Sequence, residues 1–487
     1  MKKIKSTLMT LVSSLMVCTN VFGLAACGGN NGGNNGGGEY VPQEIVAYDG
    51  SAVTVTFYHT MGANLRGVID KYIPVFNEMY PNITIDHQQM GDYNGVRDQI
   101  STELIAKNSP SIAYCYPDHV ALYNKANAVL LLDDYIASTK VVTKADGTTD
   151  VMGFTAEQIA DFVPGYYEEG RAYGDNRMYT LPFSKSTEVL YYNKTYFEEK
   201  GYEVPKTWDD MEALCAAIKA EEPNNIPLGY DSEANWFITM TEQLGTPYTS
   251  ATGDHFLFNT AENRAFVKRF SDWYDAGYVM TEELYGGYTS DLFTNMDETK
   301  SRSYMCIGSS AGASYQCPDL VKDNDGKDVY PFEVGVALVP QENVNNPKVI
   351  SQGPSLVLFK KSEQEQAAAW LWAKFLTTTV ALQAEFSMTS GYAPVINSVT
   401  ENEVYANFLA NADGNARLQA SCVKQCITQQ SAFYVSPAFN GSSAARDAVG
   451  ALIQACFVKN DIGTMSVVDY IAMKFEDAID ELEFDYN

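Results

Sequence analysis

Val53-Thr-Val-Thr-Phe-Tyr58 alternates β-branched or aromatic residues with threonines, the period-two pattern of a strand. Directly after it, Leu65, Val68, Ile69, Ile73 and Phe76 recur at helical spacing. The same reading places a second strand at 83–86 after Pro81-Asn82, a helix near 96–106 and a third strand at 111–116. Strands and helices keep alternating at short intervals, which predicts an α/β fold with parallel strands. Ligands of such sheets bind beyond the carboxyl ends of the strands, so Met61-Gly62, 91–95 and 117–119 are the expected rim of a site.

Upstream, Lys2, Lys3 and Lys5 precede a mostly apolar stretch at 6–23 that ends in Leu24-Ala-Ala-Cys27. The three parts read as a lipoprotein export signal at 1–26, with Cys27 as the residue that takes the lipid. Residues 28–38 contain only Gly and Asn, a composition that behaves as a flexible tether, here assigned to 27–51. The expectation is an extracytoplasmic protein, lipid-anchored to the bacterial cell membrane. The rest of the 487-residue chain exceeds the roughly 250–300 residues at which a single core stops growing, so two globular units are expected. The formal charge is −28, and three units more negative without the leader lysines, which argues against nucleic acid as a partner. Seven cysteines remain in the body. Cys306/Cys317 and Cys422/Cys426 are spaced to close disulfides in an oxidising compartment, with the connectivity open.

Farther along, 140–150 and 322–327 read as surface loops, and 361–377 as a long helix whose Trp370, Trp372 and Phe375 face a core. Gly308-Ser-Ser-Ala-Gly312 matches the nucleophile elbow of hydrolases, whose triad runs serine, acid, histidine in chain order. The four histidines, His59, His87, His119 and His255, all lie upstream, and a serine without a base is a weak nucleophile. Metal-site spacings and nucleotide-binding glycine patterns are absent from the sequence, so no metal and no cofactor is expected. Paired carboxylates keep a glycoside hydrolase as an alternative.

The run Leu181-Pro-Phe-Ser-Lys-Ser-Thr-Glu-Val-Leu-Tyr-Tyr-Asn-Lys194, with Phe197, Gly201 and Pro205-Lys-Thr-Trp208, closely resembles the extracellular solute-binding proteins of family 1. The likeness continues through Gly353-Pro-Ser-Leu-Val-Leu-Phe359, Ala367-Ala-Ala-Trp370, Lys374-Phe375-Leu376 and Ser390-Gly-Tyr-Ala-Pro-Val395. Within the family, the chain looks most like the branch that binds glycerol 3-phosphate and carbohydrates. The resemblance implies a two-lobed periplasmic-binding-protein-like α/β fold of type II, each lobe a mixed sheet flanked by helices, with ligand in the cleft. Lobe one would comprise 52–186 and 339–376, and lobe two 187–338 and 377–487. It implies a monomeric, non-catalytic carrier that hands a saccharide or polyol to the permease subunits of an ABC importer.

The ligand contacts implied by the resemblance are Tyr93, Asp118, Ser186, Trp236, Ser309 or Ser310, Gly353, Tyr392 and Arg446. Such a set suits a sugar, because aromatic faces cover the ring while Asp, Arg and hydroxyls answer its rim. An Arg can also fork a phosphate, which keeps glycerol 3-phosphate or a glycerophosphodiester as the second reading. The stretch 435–446 departs from the Arg-rich run of the phosphate-binding branch, which places a neutral saccharide ahead.

Overall fold

A computed structural model describes Pro42 and residues 44–486; the expected leader, Cys27 and most of the tether lie outside the described residues. Val53–His59 pairs in parallel with Ile83–Gln89 on one side and with Ile112–Cys115 on the other, through the helices Ala63–Met79 and Tyr93–Ile105. Ser355–Leu358 and Thr180–Pro182 complete this sheet in antiparallel register. The alternation at the start of the chain thus yields parallel strands, and the sheet becomes mixed only where later chain returns to it.

A second sheet is organised by Ser186–Asn193, which pairs with Met305–Ser309 along one edge and with Val334–Ala337 and Val349–Gln352 along the other. Leu228–Tyr230 and Val279–Thr281 extend it in parallel. Each sheet has its own core. Around the first, Trp370 and Trp372 of the helix Glu363–Thr378 pack with Phe57 and Phe76, as their spacing foretold. Around the second, Trp208, Trp236 and Trp273 pack with Phe270. Leu382, Phe386, Val395 and Tyr405, which follow the expected boundary at 376, pack into the core of the first sheet.

The chain passes between the sheets at two adjacent points: residues 183–185 lead from Thr180–Pro182 into Ser186–Asn193, and Gly353-Pro354 leads from Val349–Gln352 into Ser355–Leu358. These crossings touch. Gly353 has φ of +90°, and a Cβ there would stand 2.4 Å from the Ser184 carbonyl oxygen, so only glycine fits. Beneath them Lys185 Nζ meets Glu169 at 2.7 Å and donates to Ser355 Oγ at 3.1 Å, while Ser351 Oγ donates to the other Glu169 oxygen at 3.2 Å. Lys185 is fully buried, so the pair fixes the geometry of both crossings.

The surface stretches at 140–150 and 322–327 are the turns of short hairpins, Val141–Thr143 with Thr149–Val151 and Val321–Lys322 with Asp328–Val329, turned at Gly147 and Gly326. One reading is corrected. The seven described cysteines are all free. Cys422 Sγ is bonded to Tyr191 Oη at 3.3 Å, and Cys426 is bonded to Tyr166 at 3.5 Å, so helical neighbours face different partners.

Candidate ligand cleft

Between the sheets lies a cavity of about 360 Å³, within the usual range of small-molecule sites. Its walls are the ends of elements from both sheets. Tyr93 opens a helix whose N-terminus is capped by Asp92, which accepts the Gly95 N–H at 2.7 Å. Tyr116 follows Ile112–Cys115, and Pro117 then starts the next helix at a position where a missing N–H costs nothing. Tyr392 follows Gly391, whose φ of +85° ends the helix Val380–Ser390 in the left-handed conformation.

From the second sheet, Asp231 follows Leu228–Tyr230, Glu282 follows Val279–Thr281, and Ser309 ends Met305–Ser309. Ser232 caps the helix Glu233–Leu244 by accepting the Asn235 N–H at 3.2 Å. It does so at φ of +79°, a conformation costly for a residue with a side chain. That strain sits at the mouth of the cavity, where such backbone is usually functional. The cavity therefore lies beyond the carboxyl ends of strands from both halves of the molecule, where such sheets hold their sites.

Of the sequence-nominated residues, the fold brings Tyr93, Ser186, Ser309 and Tyr392 together on this cavity. Tyr93 and Tyr392 hydroxyls approach to 3.5 Å, and Tyr93 stacks on Tyr116 with centroids 4.4 Å apart. Asp118 and Arg446 line a smaller adjoining cavity of about 60 Å³ that shares Tyr116 and Gln352 as walls. Arg446 Nη2 donates to Asn235 Oδ1, so one arm of its fork is already engaged.

Three nominees line neither of these cavities. Trp236 is fully buried in the second core, stacked on Tyr230 at 4.5 Å and packed on Phe270 at 4.0 Å, because its helix turns that face to the sheet. Ser310 is also fully buried, its Oγ accepting the Thr187 N–H at 3.2 Å, which ties the turn after the elbow motif to the crossing strand. Gly353 belongs to the crossing described above. Ser309 Oγ accepts the Ala311 N–H at 3.2 Å and caps its own turn, while His59 and His87 bond each other and His255 bonds the Ser250 carbonyl.

The residues that sequence reasoning missed are Tyr116, Glu188, Asp231 and Glu282. Glu188 is legible only in the fold, since it sits among the six buried residues that open its strand. Burial pushes its carboxyl up to about 7, against the pull of hydrogen bonds from Tyr230 and Asn235. Tyr230 Oη donates to Glu188 Oε2 at 2.8 Å, and Oε1 has no partner. Glu282 is likewise raised to about 7 by burial and by the charges of Asp231, Glu233 and Glu283. Burial raises Asp231 despite the N–H and hydroxyl of Thr289, which it accepts at 2.8 and 2.7 Å. Among the described residues no group of three or more His, Cys, Asp or Glu could hold a metal ion, and no helix is long and apolar enough to cross a membrane.

Two sheets joined by paired crossings, with a polar and aromatic cleft between them, define a two-lobed binding protein. The model of bacterial extracellular solute-binding proteins matches residues 71–412, and the chain belongs to that family. It is 24% identical over 376 residues to the sn-glycerol-3-phosphate-binding periplasmic protein UgpB of Salmonella typhimurium, covering 73% of this chain and 78% of that one. Among solved structures, UgpB of Mycobacterium tuberculosis in complex with glycerophosphocholine superposes with a TM-score of 0.66 at 16% identity, covering 89% of this chain and 98% of that one. The ABC substrate-binding protein Lmo0181 of Listeria monocytogenes, in complex with cycloalternan, gives a TM-score of 0.68 at 15% identity, covering 90% and 100%. The likeness of these structures is one of fold.

Proposed function

We propose that the protein captures a carbohydrate in the cleft between its sheets and delivers it to the permease of an ABC importer, without catalysing a reaction. The observation that carries this reading is the lining of the cavity. Tyr93, Tyr116 and Tyr392 offer ring faces, and Ser186, Ser309 and Asn235 offer the hydrogen-bonding rim that a saccharide needs. Asp118 and Arg446 extend the contact surface into the adjoining cavity. Cycloalternan in the Listeria structure supports the ligand class.

In this reading Cys27 carries the lipid, the Gly/Asn segment is the leash, and a monomer meets the permease at the membrane surface. Lobe one comprises 52–186 and 339–376, with the helices up to about residue 411 moving with it, since their apolar faces share its core. The remaining chain forms lobe two, and the paired crossings act as the hinge about which the cleft closes.

The second reading, glycerol 3-phosphate or a glycerophosphodiester, is favoured by the UgpB relatives and by Arg446. Thermal-shift screening against mono- and oligosaccharides and glycerol phosphates separates the two, because a ligand of the folded state raises its apparent stability. A rise with glycerol phosphates and none with sugars would overturn the carbohydrate reading. Release of product from any glycan, lost on replacing one carboxylate, would replace a carrier with a hydrolase.

A further inference from the structure

The cavity is built to receive hydrogen-bond donors and positive charge. Its walls carry the carboxylates of Glu188, Asp231 and Glu282 and no lysine, arginine or histidine. Three buried side-chain atoms on those walls lack a hydrogen-bond partner, and all are acceptors: Glu188 Oε1, Gln316 Oε1 and Gln352 Oε1. Glu188 is 1% exposed and Gln316 3%, so these oxygens have given up water without gaining a donor. An unpaired acceptor at such depth is costly unless something that binds there supplies the proton. Arg446, whose charge reaches Glu188, lines the adjoining cavity and donates to Asn235 on the shared wall. A sugar hydroxyl brings an acceptor with each donor. An ammonium brings three donors, no acceptor and the missing charge. Tyrosine rings in the same walls also present faces that attract a cation.

The geometry points to a ligand that carries a positively charged nitrogen on its polyol frame, an amino sugar in place of a neutral one, with the ammonium seated against Glu188. This inference rests on the carbohydrate reading and narrows it. The cavity accordingly disfavours an anionic headgroup, because three carboxylates would face it.

The test uses the full body of the chain and three matched probes: glucose, glucosamine and N-acetylglucosamine, each with its β-1,4-linked disaccharide, compared by titration calorimetry near neutral pH. The ammonium form is expected to bind about tenfold or more tightly than both of its uncharged partners, as a charge-assisted hydrogen bond requires. Glu188→Gln should lower affinity for the ammonium sugar more than for the hydroxyl sugar, and added salt should narrow the preference. Glu282→Gln, at a less buried position, provides the same comparison if the first variant folds poorly. Equal or tighter binding of the uncharged sugars overturns the charge assignment while leaving a carbohydrate binder. A preference that survives both substitutions overturns the seat at Glu188. Failure of all three sugars, with binding of a glycerol phosphate, removes the carbohydrate reading itself.

Discussion

Two aromatic clusters can be compared, one buried in the core of the second sheet and one lining the cavity. In the core, Trp236 is sandwiched by Tyr230 and Phe270 and fully buried. In the cleft, Tyr93 stacks on Tyr116 and meets Tyr392 through their hydroxyls, with faces left half-buried. Ring type does not separate the two. What separates them is where they lie: the Trp236 ring is enclosed in the second core, whereas the three tyrosines line the cavity beside three unpaired acceptors.

The largest effect that tests the contrast is Trp236→Ala. Emptying a large buried site should cost about 3–5 kcal/mol of stability, read from denaturant unfolding, while the folded fraction binds ligand as before. A loss of affinity without loss of stability would move Trp236 back to the cleft.

Glu188→Gln probes the cleft side of the comparison by pH. The folded carboxyl titrates near 7 against an ordinary 4.5, so the folded chain holds this proton more tightly than the unfolded chain. Its contribution is therefore present below the unfolded value and lost as pH rises through 7. At about 1.4 kcal/mol per pH unit the loss in the free protein amounts to roughly 3 kcal/mol. The amide cannot ionise, so the stability of Glu188→Gln relative to the parent should increase steadily between those two values and level off above. A pH-independent difference would mean that Glu188 is solvated. The Glu188 carboxyl thus weakens the empty protein as pH rises past neutral.

How much of this was readable beforehand follows from the same contrast. The strand and helix periods at the start of the chain are local, and Val53–His59, Ile83–Gln89 and Ile112–Cys115 appear where they were read. Tyr392 and Tyr93 were nominated from the family motifs around Gly391-Tyr392-Ala393-Pro394 and Gly91-Asp-Tyr93, and the fold puts both on the cavity. Trp236 was misplaced because helical spacing does not say which face meets a sheet. Glu188 was invisible because its neighbours Val189, Leu190 and Tyr191 read as core, and its exposure to the cavity depends on the crossing of distant strands. Gly353 was nominated as a ligand contact, and its place in the crossing was not legible because the Ser184 carbonyl it accommodates is 169 residues away in sequence.

Within the cleft, Tyr93→Ala and Tyr392→Ala should each weaken ligand binding by about tenfold, the usual worth of a well-packed aromatic contact of 1–2 kcal/mol. Their stability cost should be smaller than that of Trp236→Ala, since neither ring is wholly enclosed. If both lose affinity only in proportion to lost folding, the cleft has been assigned to the wrong cluster.

The smallest effect belongs to the rim. Tyr315 is 77% exposed and Tyr288 63%, yet both border the cavity, so each ring gains a partner only from a ligand long enough to reach it or from closure of the cleft over it. An exposed ring in solvent contributes almost nothing to folding, and Tyr315→Ala should leave the unfolding midpoint unchanged. Its cost on binding should be about 0.5–1 kcal/mol, roughly a twofold to fivefold loss, for a disaccharide or longer ligand. For a monosaccharide held by Tyr93, Tyr116 and Tyr392 it should be nil. Calorimetry with sugars of increasing length therefore measures how far the binding surface extends from the buried tyrosines toward solvent. Equal losses for short and long sugars would show Tyr315 to be part of the inner wall, and the rim would then begin beyond it.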